Sequence, residues 1–362
     1  MKTQIVRNTE EFDLLGIDWK RIETIDPDVS FYSRFEAAKA WWDAHQGNPH
    51  LKLWIITVWD TVKIVGIAPL IIMKSGNSFF SWRTVRLLGM GDYLGILIDR
   101  NFPDQMTIIK EIMHVIEERQ EEWDRVFLEY IPSRSLLAAY LLKSKYNRYF
   151  KYLVECPVIN IEDYHSFSNY QEYFMPTNVQ RIRKKLQKNT EYQLKVERYS
   201  SEVLDQIIEL HKKEQRYLAR EKKRKEQESI FEDESTLNYI KNVFQKCPEN
   251  VILFTLVNAQ TPIIAYGACW LYNDTLHWWN CGYDPEYEKY SPVKALILEM
   301  IQYFFENKMA RLFDFGAGRY FWKFEWTNDF IFNYQLDMIN TRRRLFLWSY
   351  KIKKALNVML NN

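Results

Sequence analysis

The stretch RLFDFGAGRYFWKFEW, residues 311–326, gathers Asp314, Gly316, Gly318 and Lys323 within a dozen positions. Asp-Phe-Gly is the metal-binding signature of protein kinases, but a kinase also needs a Gly-rich loop, a strand lysine of the Val-Ala-Ile-Lys type and a His-Arg-Asp loop upstream. None of these occurs. Gly316-Ala317-Gly318 lacks the third glycine of a dinucleotide fingerprint, and no Gly-x-Ser-x-Gly elbow or His-Glu-x-x-His zinc helix is present. The six histidines are scattered, and Cys156, Cys247, Cys269 and Cys281 form no Cys-x-x-Cys pair, so no zinc site or disulfide framework is expected. Proton-transfer groups gather slightly upstream. His277 lies in the strand-like run TLHWWNCGY and offers an imidazole, and Asp284 follows in GYDP. Tyr283, Tyr287 and Tyr290 carry phenols that could protonate a leaving group. Each has a plainer reading: Asp before Pro forms turns, a strand histidine packs, and Cys281 is a small apolar core residue.

The elements that must position these groups come in two similar series. LWIITVWDTVKIVGIAPLII, residues 53–72, reads as a β-hairpin, and VILFTLVNAQTPIIAYGACWL, residues 251–271, repeats the plan with its turn at Asn258–Pro262. After the first hairpin come strands through VRLLGM and YLGILI, a helix from about Pro103 to Glu121, strand RVFLEY and a helix after Pro132. After the second come strand TLHWWNCGY, a helix from Pro292 to about Lys308, strand RLFDF and a short helix near Tyr320. Pro stands at or near the start of the long helix both times, where its missing N–H costs nothing. The pattern predicts one mixed α/β unit duplicated in tandem. Between the series, NVQRIRKKLQKN (178–189) and the helix beginning SSEVLDQIIELHKKEQRY carry dense positive charge, either a solvated face or a wall for a polyanion.

Composition narrows the class. The chain has 362 residues, enough for two cores, with 47% hydrophobic and 27% charged residues. Lys plus Arg is 49 against 47 Asp plus Glu, so a net charge of +2 makes no general case for nucleic acid. Aromatics reach 16%, with 13 Trp, which suits a large core or sugar-stacking faces. The opening MKTQIVRNTEEFD lacks a signal-peptide core, and no run reaches the roughly 18 apolar residues of a bilayer span, so a cytoplasmic protein with reduced thiols is expected.

With these stretches in view, the sequence resembles tandem GNAT-fold acyltransferases of the CelD/FemAB-like group over residues 10 to 340. The likeness rests on SFYSRFEAAKAWWDAH, VGIAPLII and LLGMGDYLGILID in the first half, and on NVQRIRKKLQ, GYDPEYEKYSP and FDFGAGRYFWKFEW in the second. It implies a mixed α+β fold of two GNAT-like domains, each a twisted mixed sheet flanked by helices. The expected limits are 1–160, 161–341 with the active site, and a basic amphipathic helix over 342–362 packing on the body.

What the resemblance implies is an N-acyltransferase moving an acyl group from acetyl-CoA or another acyl-CoA to an amine of an amino sugar or cell-surface glycan precursor. The rivals are Fem-like transfer from aminoacyl-tRNA to a peptidoglycan precursor, and a silent scaffold in polysaccharide synthesis. No metal, no DNA and no membrane partner are expected. The donor would enter where TLHWWNCGY and RLFDF splay apart. Catalysis is expected from Asp284, Lys323 and Tyr290, and CoA contacts from Ser291, Val293 and Lys294 at the long helix's start. Acceptor contacts are expected from Asp92, Tyr93, His211 and His277. Two departures stand out: Trp322 replaces the family's usual Tyr before the lysine, and Ser291-Pro292-Val293 replaces Ser-Pro-Gly, setting a branched side chain where backbone should approach phosphate.

Overall fold

A computed structural model of the chain describes residues 1–77, 81–223 and 228–343. The basic helix expected over 342–362 falls almost wholly outside the described residues. The chain forms two compact units, one made of residues 1–154 with the chain from 332 onward, the other of Glu155–Ile331.

The first unit opens with β1 (Lys2–Val6), α1 (Thr9–Leu14), α2 (Gly16–Glu23) and α3 (Phe35–His45). There follow β2 (Leu51–Leu53), β3 (Ile55–Asp60), β4 (Lys63–Ala68), β5 (Leu70–Gly76), β6 (Ser81–Leu87) and β7 (Leu97–Ile98). It continues with α4 (Gln105–Glu118), β8 (Arg125–Pro132) and α5 (Leu136–Lys143). One antiparallel sheet has the order β1-β3-β4-β7. The predicted hairpin is β3 and β4, and Pro69 breaks its second arm before β5. Helix α4 is capped by Asp104, whose carboxylate accepts the Thr107 N–H. Its apolar face, Ile108, Ile109, Ile112, Met113 and Ile116, is buried. Gly66 of β4 lets that face close: a Cβ there would lie 2.2 Å from Ile108 Cγ2.

The second unit takes the later part of β9 (Phe150–Asn160), then α6 (Phe167–Tyr173), α7 (Val179–Thr190), β10 (Gln193–Glu197), α8 (Ser201–Glu221) and α9 (Glu234–Lys246). It is completed by β11 (Val251–Val257), β12 (Ala265–Tyr272), β13 (Thr275–Tyr283), α10 (Pro292–Asn307) and β14 (Leu312–Asp314). Strand order is β10-β11-β12-β13-β14-β9, antiparallel except for the parallel β13–β14 pair. One face carries α10, whose Leu296, Met300 and Phe304 pack with Phe254, Leu276, Trp278 and Phe313. Each such fully buried side chain contributes roughly 1.5–3 kcal/mol. The other face carries α8 and α9, where Trp279 meets Phe231, Phe244 and Trp270.

The last strand, β15 (Phe330–Ile339), pairs antiparallel with β8 in the first unit. The two units therefore share a plan. Four antiparallel strands (β1-β3-β4-β7 and β10-β11-β12-β13) are followed by a long helix (α4, α10) and a strand (β8, β14) with an antiparallel neighbour (β15, β9). The first unit adds β5 and β6, which lie between β4 and β7 in the chain but pair with each other outside that four-stranded sheet, β6 running parallel to β8.

Candidate active site

Strands β13 and β14 run side by side for three rungs: Thr275 beside Leu312, Leu276 beside Phe313, His277 beside Asp314. They then part. After Asp314 the chain stays with β9, Phe315 donating its N–H to Pro157 O at 3.0 Å and Gly318 to Glu155 O at 3.1 Å. Strand β13 continues to Tyr283 on its own. Its alternation assigns the open edge. Asp284 N–H bonds Ile264 O, so Gly282 is the next residue bonded to β12, and the N–H groups of Cys281 and Tyr283 are directed at the splay.

The glycine loop beyond Asp314 is tied from inside. Asp314 Oδ1 accepts the Gly316 N–H at 2.7 Å, and Gly316 and Gly318 take φ of 71° and 126°, which a side chain would resist. Lys323 sits in the 3-10 turn Phe321–Glu325. Instead of projecting outward, its ammonium folds back and donates to Gly316 O at 2.9 Å and Ala317 O at 3.0 Å, leaving the residue 5% exposed. Trp322 fills the wall of the splay, its ring 5.5 Å from that of Trp278.

His277 marks the closed end of the splay, its Nδ1 3.3 Å from Asp314 Oδ2, with both residues buried. Asp284 lies beyond the other end, about 20 Å away along the strand, so the two do not act on one atom. Lys213 Nζ lies 2.8 and 2.9 Å from the two Asp284 carboxylate oxygens, one of which also accepts the Glu286 N–H. That is the arrangement of a cap and ion-pair partner, with its lone pairs engaged. His211 is buried on α8 beside Ser229 Oγ at 2.7 Å, and burial pushes its imidazole down to about 4, so it is neutral at physiological pH. Asp92 and Tyr93 belong to the first unit, where Asn333 Nδ2 donates to Asp92 O and Ser30 Oγ to Tyr93 O, each at 2.7 Å.

At the start of α10, Ser291 takes a left-handed conformation, φ 52°, and makes no side-chain cap. Val293 packs partly against the core, and Lys294 Nζ is 2.9 Å from Glu325 Oε2. Tyr290 is flanked by Lys185 and Lys289, their ammonium groups 5.5 and 5.0 Å from its ring centre. This end of the helix is a positive dipole terminus, preceded in the chain by Tyr290 and its two flanking cations, and Pro292 removes one N–H donor from it.

One group at the splay escaped the sequence reading. Glu214 of α8 is 6% exposed, and its Oε2 lies where a Cβ on Gly282 would approach to 2.6 Å. Burial pushes its carboxyl up to about 8, against the lowering effect of a hydrogen bond from the Tyr283 backbone N–H. The signal was present: Leu204, Ile207, His211, Glu214 and Leu218 fall on one helical face, which places a carboxyl in an otherwise inward row. Beside it, burial pushes the Cys281 thiol up to about 12, which disfavours the thiolate.

Residues 175–324 match the acetyltransferase (GNAT) domain family. The second unit carries a GNAT acyltransferase domain. Whole-chain likenesses extend the assignment of fold to both units. FemX is 12% identical, with 94% of this chain and 97% of that chain covered and a TM-score of 0.56. L-PGS from Bacillus licheniformis is 12% identical, covering 93% of each chain, with a TM-score of 0.54. The C-terminal domain (DUF2156) of a putative lysylphosphatidylglycerol synthetase from Agrobacterium fabrum is 9% identical, covering 94% and 97%, at a TM-score of 0.54. At such identities these structures establish architecture: the chain has the tandem GNAT fold of Fem-like proteins. No curated protein matches the sequence. Among the described residues, no helix is long and apolar enough to cross a membrane and no group of His, Cys, Asp and Glu is arranged to hold a metal ion.

Proposed function

We propose that the GNAT domain of the second unit moves an acyl group from an acyl-CoA to an amine, carried by an amino sugar or a cell-surface glycan precursor, in the cytoplasm. The observation that carries this reading is the open edge of β13 from Trp278 to Tyr283, facing a glycine loop that has turned away with β9. A pantetheine arm lies in such a gap as an extra strand would, and the Cys281 N–H directed into it supplies a donor for the carbonyl oxygen as charge develops there. Lys323 acts by position: its ammonium holds the Gly316 and Ala317 carbonyls turned inward and adds positive potential beside the reacting carbonyl. The α10 terminus, with Ser291, Val293 and Lys294 and the nearby Lys185 and Lys289, is the proposed seat for the donor's phosphates, and Tyr290 the nearest phenol to them. Asp284 keeps a supporting part, fixing α8 to the end of β13 through Lys213.

The test is thermal unfolding with and without acetyl-CoA and longer acyl-CoAs. A donor present at a hundred times its Kd adds about 2.7 kcal/mol of stability, a clear rise in Tm. No rise with any acyl-CoA would remove this reading. A second reading, transfer from aminoacyl-tRNA, draws support from the exposed basic face of α7, with Arg181, Lys184, Lys185 and Lys188, and from the Fem-like architecture. Under that reading, stabilization appears with aminoacyl-tRNA, falls steeply with salt and vanishes after RNase treatment. Stabilization by neither donor would leave the scaffold reading.

A further inference from the structure

An acyl transfer to an amine requires that the acceptor ammonium lose a proton beside the splay, and three buried carboxyls lie around β13. Asp284 is held by Lys213, and Asp314 lies at ion-pair distance from His277. The third, Glu214, has no Lys, Arg or His at ion-pair distance among the described residues. Its place is constructed from several elements at once. Helix α8 carries it inward on the row of Leu204, Ile207, His211 and Leu218. Gly282 is the residue that makes room, since a Cβ there would stand 2.6 Å from Glu214 Oε2 and 2.7 Å from Tyr266 Cε1. The Tyr266 hydroxyl donates to Asn280 Oδ1 at 2.5 Å, which fixes the ring forming the other wall. The Tyr283 N–H, directed at the open edge, bonds the carboxylate and aims it there. Cys281, between them on the strand, feels both the Glu214 charge and, from the glycine-loop side, the Lys323 ammonium.

Resting on the acyltransferase reading above, we propose that Glu214 is the general base, taking one proton from the acceptor ammonium at the open edge of β13. The free amine then attacks the thioester carbonyl carbon, forming the C–N bond. As the C–S bond breaks, the second proton on nitrogen passes to the departing thiolate, giving amide and thiol, and Glu214 releases its proton to solvent. Burial supports the assignment by lifting the carboxyl to about 8, closer to an amine than an ordinary carboxylate is, so that the proton moves between partners of similar basicity.

The experiment uses the full chain with acetyl-CoA and D-glucosamine. Glu214→Gln should lower kcat/KM by about a hundredfold or more, leave the acetyl-CoA Kd within about threefold, and abolish the acidic limb of the pH–rate profile. Glu214→Asp should restore part of the rate together with that limb. An infrared titration reads the same group without turnover: the unsubstituted protein should show a protonated-carboxyl band just below neutral pH that Glu214→Gln lacks. An active protein whose Glu214→Gln variant keeps both rate and acidic limb would overturn the role of Glu214 alone. Failure of the unsubstituted protein to bind acetyl-CoA or to transfer would overturn the acyltransferase reading and this inference with it. Absence of the infrared band would overturn the inference whatever the activity.

Discussion

His277 and Asp314 meet across the final rung that β13 and β14 share, Nδ1 3.3 Å from Oδ2, and the strands separate immediately beyond them. The pair closes the base of the gap, since Asp314 also holds the first turn of the glycine loop through the Gly316 N–H. Asp314→Ala removes the carboxylate that meets both His277 and the Gly316 N–H, at a site 1% exposed. The expected loss is about 2–4 kcal/mol, because the buried Gly316 N–H is left without its acceptor and the buried carboxylate beside His277 is lost. Urea unfolding followed by tryptophan fluorescence measures it, and a change below 1 kcal/mol, roughly the value of a surface pair, would show that the pair does not brace the splay.

Lys323→Met keeps the length of the side chain but gives the Gly316 and Ala317 carbonyls no ammonium. Turnover should fall about tenfold or more, while donor affinity changes less, because the loop's inward carbonyls and the local potential are altered rather than the phosphate seat. Michaelis kinetics with separate kcat and KM decide the point. Asp284→Asn, which retains the cap and loses only the charge toward half-exposed Lys213, should cost below about 1 kcal/mol.

Gly282→Ala tests the close approach of α8 to β13. The new methyl meets a carboxylate oxygen at 2.6 Å and a ring carbon at 2.7 Å, neither at the end of a freely swinging chain. The expected cost is about 1–3 kcal/mol of stability, read in thermal or urea unfolding, and it should shrink when combined with Glu214→Ala. Additive losses would mean that Glu214 is not what the methyl strikes.

Two buried groups give opposite pH dependences. His211 binds its proton in the unfolded chain near 6.5 and in the fold only near 4, so stability is complete above 6.5 and is lost as pH falls toward 4. Glu214 releases its proton near 4.5 when unfolded and near 8 when folded, so the fold holds the extra proton in between and stability declines as pH rises through that window. The limiting slope of each is about 1.4 kcal/mol per pH unit. Glu214→Gln should therefore gain on the unsubstituted protein as pH is raised from 5 to 8, measured by urea midpoints at fixed ionic strength. A constant or shrinking difference contradicts the buried, protonated carboxyl.

Much of the architecture was legible where pattern is local. TLHWWNCGY is β13 from Thr275 to Tyr283, and the Pro292 helix ends at Asn307. Both are set by apolar runs bounded by a turn residue or a proline. What stayed hidden depends on distant partners. The segment FIFNYQLDMI becomes β15 only because β8, some two hundred positions earlier, offers it an edge. Lys213 and Asp284 are 71 residues apart, and nothing near Asp284 announces that its charge is engaged. Lys323 reads as a presented cation, since residue types do not reveal a side chain folded back onto carbonyls six and seven residues before it. Glu214 was readable in principle, but it sits amid HKKEQRY, where surrounding charge disguises the one position that turns inward.

The path of β15 decides where this polypeptide can be cut. Residues 155 to 331 leave and return beside each other, Val158 donating to Asp329 O at 2.9 Å, so a fragment with those limits has neighbouring ends, cut within β9 and β15. A fragment stopping at 331 from the other side strands β8 without the neighbour it has from Arg125 to Pro132, baring a row of amides that invites self-association. The first unit is therefore assembled from residues on both sides of the second in sequence, and its solubility as an isolated piece depends on a segment that follows Ile331.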